Sequence, residues 1–446
     1  MERGVADDRP DNNERKADET LPISSALARF ARQVDVPLLL LAVAITLAQI
    51  LLATLAGRGA NWHDRYMSLW TFDGGWYADI INYGYRTTVP PGAGAQYNLG
   101  FFPGYPVAAG ILANIFHLSA GVALLLTAQI AAVVFWWLLL RILQRWKVAS
   151  SVTLCVVLLV FSQPGGFFFV VSYPESLAMA ALLVLLSLGA RTGRSVPMLL
   201  GAAAGGYVLS ATRIAGAPVA VIPAVWACRD FLMMPAARGH LPRRVFAAIW
   251  RHAIVAIATA AGTISFFIFC AVRFGHWDAY TRARAVGWFG AKADYTALLL
   301  RENFHLYRPR FAEEFISHND VSQLYFQLLL LLLVAMPLID FWLCRRKQRW
   351  DLIERLPYYL AGWIFLFVSA SGGANLPGGS YTGFFRYGIY TQVPLALAWA
   401  HGRRHSVSAE RPLCLAAQVL VFLLAAIGIA LQAQFCWRYA RGVLIS

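Results

Sequence analysis

A chain of 446 residues in which 59% are hydrophobic and only 14% charged holds too few charges for a soluble globule, which carries about a quarter. Its formal net charge of +15 would suggest nucleic acid in a soluble protein. Here the basic residues fall in short loops between apolar runs, and no basic stripe with interleaved aromatics marks a nucleic-acid-binding domain.

The composition predicts an all-α polytopic membrane protein. Residues 1–35 are polar and charged, hold few large apolar side chains, and read as a disordered cytoplasmic tail. They are too long and acidic for a signal-peptide leader, and the apolar run that follows is too long for its core. Residues 36–446 read as one transmembrane domain, with outer loops at about 58–102 and 274–320. Runs near the roughly 20 residues needed to cross a bilayer lie near 36–57, 119–140, 148–163, 174–190, 197–212, 214–228, 252–273, 321–343, 356–371, 385–401 and 413–434. That makes about eleven helices, within a range of roughly 10–12.

The positive-inside rule orients them. Arg29 and Arg32, then Arg141, Arg145 and Lys147, then Arg191 and Arg194, then the group from Arg229 to Arg251, then Arg345 to Arg349, and finally Arg403 and Arg404 mark cytoplasmic loops. Residues 103–117 are apolar, but a full crossing there would invert the next loop. They read as a re-entrant or interfacial piece, or as the start of a long tilted helix. Pro164, Pro218 and Pro223 mark kinks or breaks. The six cysteines show neither a C-x-x-C pair nor metal spacing and read as buried small hydrophobes.

With this topology the polar segments fall on the outer face. In the first outer loop Asp73 stands alone among aromatics. It could take a proton from an attacking hydroxyl, or it could be a solvated or helix-capping carboxylate; Asp64 and Asp79 are lesser candidates. Trp76, Ile80 and Tyr83, with Tyr77 and Ile81 nearby, predict an amphipathic interfacial helix over 75–83 that could hold a lipid tail or simply anchor the loop. The prolines and glycine of 101–106 predict an extended or turned segment, with Phe102 and Tyr105 in the aromatic belt.

Glu175 sits at the mouth of a helix, where capping and substrate contact are both open. Arg213, inside an apolar stretch, is either an interface anchor or a functional cation suited to phosphate. His276 and Asp278 open the second outer loop, ahead of Arg282, Arg284 and Trp288. They share metal-ligand spacing with no other pair, so no metal is expected. Arg386, next to Tyr387, is a second candidate phosphate clamp.

Together these motifs resemble the PIG-V-like mannosyltransferases. Asp73 with Trp76-Tyr77 and Gly84-Tyr85, then Asn98, then Phe101-Phe102-Pro103-Gly104-Tyr105-Pro106, look like that family's first luminal loop. Ser172-Tyr173-x-Glu175-Ser176-Leu177 is similar to its second signature, with Pro174 a departure, and Ala211-Thr212-Arg213-x-x-Gly216 to its third. Residues 275–288, and Phe385-Arg386-Tyr387 with Pro394, fit looser ones. The resemblance spans about residues 36–434.

It implies the GT-C fold, a polyprenyl-phosphate sugar donor, a lipid or glycan acceptor, and metal-independent inversion without a cofactor. Asp73 would be the base, Arg213 and Arg386 would meet the donor phosphate, and Glu175 would line the acceptor pocket. Trp76, Tyr77, Asn98, Tyr105, His276, Asp278 and Tyr387 would be substrate contacts. The richness in Ala, Arg and Gly points to a bacterial inner membrane, with the site facing the periplasm. Two other readings are a lipid-linked sugar flippase, which would place polar groups near the midplane, and a non-catalytic membrane subunit on the same fold.

Overall fold

The computed structural model describes residues 35–87, 97–192, 195–234, 241–287, 296, 318–347, 350–373, 383–404 and 415–443. The N-terminal tail, most of the second outer loop including Trp288, and Cys414 lie outside the described residues. Helices account for nearly all of the rest: α1 Val36–Ala56, α2 Trp62–Met67, α3 Asp73–Tyr83, α4 Gly104–Phe116, α5 Ala120–Arg145, α6 Ser150–Phe161, α7 Glu175–Gly189 and α8 Val196–Thr212, followed by α9 Ile222–Met233, α10 Leu241–Phe274, α11 Ala279–Gly287, α12 His318–Lys347, α13 Trp350–Gly373, α14 Phe384–Tyr387, α15 Ile389–Arg403 and α16 Leu415–Ala440. Tight 3-10 segments cover Asn98–Gly100, Gly166–Phe169 and Ile214–Val221.

The protein is an integral membrane protein. Six helices among the described residues are long and apolar enough to cross a bilayer: α1, α5, the unit Ile214–Met233, α10, most of α12, and α16. Their outer faces remain apolar where no protein covers them, as at Leu40, Ile257, Leu331 and Leu423. A soluble fold would not leave such stripes bare. Each of the eleven spans expected from the sequence falls on a helix, 214–228 on a 3-10 segment joined to α9.

Contacts between helices form a closed circuit, α6–α16–α1–α5–α7–α8–α10–α9–α13–α15 and back to α6. Small residues set the closest crossing. A side chain on Gly262 of α10 would strike Ala211 N of α8 at 2.6 Å, and one on Gly206 of α8 would strike Thr259 of α10. Lipid tails are as apolar as leucine, so backbone approach of this kind carries much of helix association in a membrane.

Two local expectations change. Residues 104–106 are helical, because α4 begins at Gly104 with Pro106 in its first turn, where a missing N–H removes no helical hydrogen bond. Residues 104–116 are also no part of a long helix continuous with α5. His117 turns left-handed at φ 53° and closes α4, and Ser119 precedes a new start at Ala120.

Candidate active site

Four charged side chains meet at one end of the bundle. Arg386 Nε donates to Glu175 Oε1 at 2.5 Å, and Arg386 Nη1 donates to Asp73 Oδ2 at 3.2 Å. Arg213 Nη2 donates to the same Glu175 Oε1. Asp73, Arg386, Glu175 and Arg213 thus form one chain of alternating charge, drawn from the starts of α3 and α7, the C-cap of α8 and α14.

Each sits at a helix end of favourable sign, except Arg386 in its short helix. An acid in a first turn or a base in a last one gains about 0.3–1 kcal/mol. Stripping a carboxylate of water costs several kcal/mol. For Glu175, which is 0% exposed, the dipole is therefore too small, and the two guanidinium groups must supply most of the compensation. Exposure rises along the chain from Glu175 to Arg386, at 10%, and Asp73, at 22%. Asp73 is the carboxylate that a reactant can reach.

Aromatic rings wall the cluster. The Arg386 guanidinium lies 4.1 Å from the Tyr173 ring centre and 5.0 Å from that of Phe168, and Arg213 lies 5.3 Å from that of Tyr387. Tyr77 is buried in α3 and its phenol feels the charges of Arg213, Asp73, Arg386 and Glu175; burial above all pushes its pKa well up, so it stays a neutral hydroxyl. The buried Glu175 Oε2 and Arg213 Nε have no hydrogen-bond partner among the described residues.

The backbone is shaped to bring these groups together. Asp73 N–H donates to Tyr173 Oη at 3.3 Å. Phe72, just before it, adopts φ 50° and ψ −118°, a strained geometry for a residue with a side chain, costing about 1–3 kcal/mol. Gly74 lies so close to Ser172 and Trp70 that a Cβ would fall 2.8 Å from Trp70 Cδ1. The Arg386 segment is held by Gln163, whose side-chain amide donates to Phe385 O, and by Phe385 N–H, which donates to Ser322 Oγ at 3.1 Å.

The other expected site residues sit as follows. Trp76 is half-buried and stacks on Phe101 at 6.2 Å. Tyr105 donates to Leu124 O at 2.7 Å and lies edge-on to Tyr77 at 5.1 Å. Asn98 fastens the first outer loop, donating to Asp79 Oδ2 at 2.8 Å and Gly84 O at 2.9 Å and accepting from Arg86 N–H at 2.9 Å. Ile80 turns inward with Tyr77 and Ala78, while Tyr83 is exposed, so the buried face of α3 differs from the stripe read off the sequence.

His276 is exposed, and Asp278 bonds Arg282 Nε at 2.8 Å, which holds its carboxyl below the usual range. These two join the first loop indirectly, through Tyr280 packed at 4.9 Å on Phe102. Sequence reasoning gave no role to Phe168, nor to Tyr439, whose hydroxyl donates to Thr71 O at 3.2 Å just before Asp73. Tyr439 lies in a plain apolar helix near the C-terminus, and no local signal marks it. Among the described residues no three His, Cys, Asp or Glu side chains lie close enough to hold a metal ion.

No family model and no curated protein matches the chain. Among solved structures it is similar to the Archaeoglobus fulgidus oligosaccharyltransferase tethered with an acceptor peptide containing the NVT sequon, at 15% identity over 90% of this chain and 55% of that one, with a TM-score of 0.46. It is similar to the apo form of that protein, at 15% identity over 89% and 56% and a TM-score of 0.46. A third match is the archaeal oligosaccharyltransferase AglB from the same organism in complex with an inhibitory peptide and a dolichol-phosphate, at 13% identity, 89% and 56% coverage and a TM-score of 0.46. The chain spans just over half the length of these structures. A similarity of that degree assigns neither activity nor substrate, and the resemblance to PIG-V-like mannosyltransferases rests on the motifs.

Proposed function

We propose that the chain is an inverting glycosyltransferase of the GT-C type. It moves a hexose, mannose first among the candidates, from a polyprenyl phosphate to a hydroxyl of a lipid-linked or secreted acceptor on the outer face of a bacterial inner membrane. The observation that carries this reading is the Asp73–Arg386–Glu175–Arg213 chain at the edge of an apolar bundle. A reachable carboxylate bonded to one arginine, with a second arginine two contacts away through Glu175, supports a site that holds a phosphate next to a base.

In the reaction the acceptor oxygen attacks the anomeric carbon and the bond from that carbon to the phosphate oxygen breaks. The phosphate leaves with the electron pair, as a stable anion that needs no strong acid. Asp73 takes the hydroxyl proton. A guanidinium has five N–H donors. Arg386 uses two groups on carboxylates and Arg213 one, so donors remain for a phosphate. Glu175, which is fully buried, holds the two arginines in register behind the substrate. Trp76, Tyr77 and Tyr387 supply aromatic walls. Asn98 and Asp278 act through the segments they fasten, Tyr105 by tying α4 to α5, and the exposed His276 is left to meet substrate directly.

The test is transfer from radiolabelled polyprenyl-phosphate mannose into membrane lipid and glycan, comparing wild type with Asp73→Asn at equal folded protein. Loss of a general base costs about 10²–10⁴-fold, and a drop of that size is expected. Equal rates would remove Asp73 from the mechanism. Absence of transfer from a panel of lipid-phosphate sugars would favour a flippase or a non-catalytic subunit.

A further inference from the structure

At the other end of the same helices lies a polar cavity of about 200 Å³. Glu175 opens α7, and Ala190 and Arg191, just past its end, line this cavity. Its 15 residues separate the two regions by about 22 Å at 1.5 Å per residue. The lining carries Arg145, Arg191, Arg229, Arg404, Glu354 and His401. By the positive-inside rule this end faces the cytoplasm.

The charges do not balance. Arg404 pairs with Glu354, which also lies 3.6 Å from His401 Nε2. Arg229 pairs with Asp230 at 2.7 Å, and Asp230 lies 2.9 Å from His252 Nε2. Among the described residues neither Arg145 nor Arg191 has a carboxylate within 4.0 Å. The charges that bear on Arg145 are those of two more arginines, Arg141 and Arg191. The Tyr358 phenol, also in the lining, feels Arg191 and Arg229. Arg145 is exposed and Arg191 half-buried, so water solvates both; like charges gathered at the mouth of a cavity still repel one another, and an anion seated between them relieves the repulsion.

Arginine is the side chain best shaped for phosphate oxygens. Trp146 and Tyr358 complete the wall, residue types that sit at headgroup level in membrane proteins. Basic pockets between transmembrane helices at the cytoplasmic side bind anionic headgroups. We infer that this cavity is a binding site for a phosphate-bearing anion, held between Arg145 and Arg191 and supplied by the headgroup of an anionic lipid of the facing leaflet. The inference is independent of the chemistry at Asp73.

The test uses the purified full-length chain in detergent, with short-chain phosphatidylglycerol, short-chain phosphatidylcholine and inorganic phosphate added separately. Thermal unfolding and native mass spectrometry read the binding. Phosphatidylglycerol should raise the unfolding temperature and stay bound, and phosphatidylcholine should do neither. Arg145→Gln and Arg191→Gln should each weaken it about tenfold, the loss expected for one charge-assisted contact. Arg141→Gln, outside the lining, should leave it within about twofold.

A shift that inorganic phosphate reproduces alone, with the same arginine dependence, would support the site and name a free anion as its source. No shift with either anion, or a shift unchanged in both variants, would overturn the proposal. Should the variants not fold, photoreactive phosphatidylglycerol on the wild-type chain decides it. Crosslinks around Arg145 and Arg191 support the site, and crosslinks confined to other peptides overturn it.

Discussion

Glu175 has no exposed surface and is paired with two arginines, so removing it strands the buried Arg386 and the half-buried Arg213. Deleting one partner of a buried ion pair costs about 3–5 kcal/mol. Glu175→Ala should therefore lower the unfolding temperature sharply, whereas Glu175→Gln keeps an acceptor for the arginines and should lose less. Unfolding of both variants in detergent, followed by intrinsic fluorescence, checks the order. Equal loss in both would mean that the carboxylate's charge, which both variants remove, carries the stabilisation and that the acceptor kept by glutamine adds nothing. The individual charges were legible in the sequence, because Asp73, Glu175, Arg213 and Arg386 interrupt apolar surroundings where a charge needs a reason. Their pairing was not. Arg386 meets Asp73 across 313 positions and Glu175 across 211, and no local pattern encodes a contact of that range. The ring of Tyr173, 4.1 Å from Arg386, lay inside a quoted motif yet gave no sign of its direction.

At the scale of elements, the site depends on how closely two chain segments approach. A Cβ on Gly165 would stand 2.6 Å from Phe385 O and 2.9 Å from Arg386 Cα, both backbone atoms that cannot swing away. Gly165→Ala should displace α14 and move Arg386 off Asp73. Transfer should fall by about 10²-fold, the effect of misplacing a reacting group by about 1 Å, while the chain remains folded. Unaltered transfer at equal folded protein would show that α14 has freedom the packing does not suggest. The spanning helices followed from apolar run length, but the short helices α2 and α11 did not, and α10 and α13 begin at Leu241 and Trp350, well before their expected starts near 252 and 356. Other failures were at residues where local geometry overrode pattern. His117 breaks what hydropathy alone reads as continuous, and α4 accepts Pro106 because it falls in the first turn. The inward turn of Ile80 follows from α3 packing on α4 and α5, which a single helix cannot announce.

For the whole molecule, α7 and α15 each have one end at the candidate active site and the other at the arginine-lined cavity. The two regions should therefore open to opposite sides of the membrane. In a background with all six cysteines replaced, Tyr83→Cys should react with an impermeant maleimide on intact spheroplasts. Lys147→Cys should react only after permeabilisation. Both positions are exposed. Labelling of both from one side would overturn the topology and with it the outward placement of Asp73.

The bond between Asp73 and Arg386 also bears on the order of events. While Arg386 Nη1 donates to Asp73 Oδ2, that oxygen is not free to accept from an acceptor hydroxyl. A donor phosphate arriving at Arg386 competes for that cation and frees Asp73. The base then becomes competent only in the presence of the sugar it is to help transfer. In steady-state terms the donor should bind first and the acceptor second, and a non-reactive acceptor analogue should inhibit uncompetitively against the donor. Competitive or simple noncompetitive inhibition would mean that the acceptor can bind productively to the empty protein, with the Asp73–Arg386 bond no barrier to it.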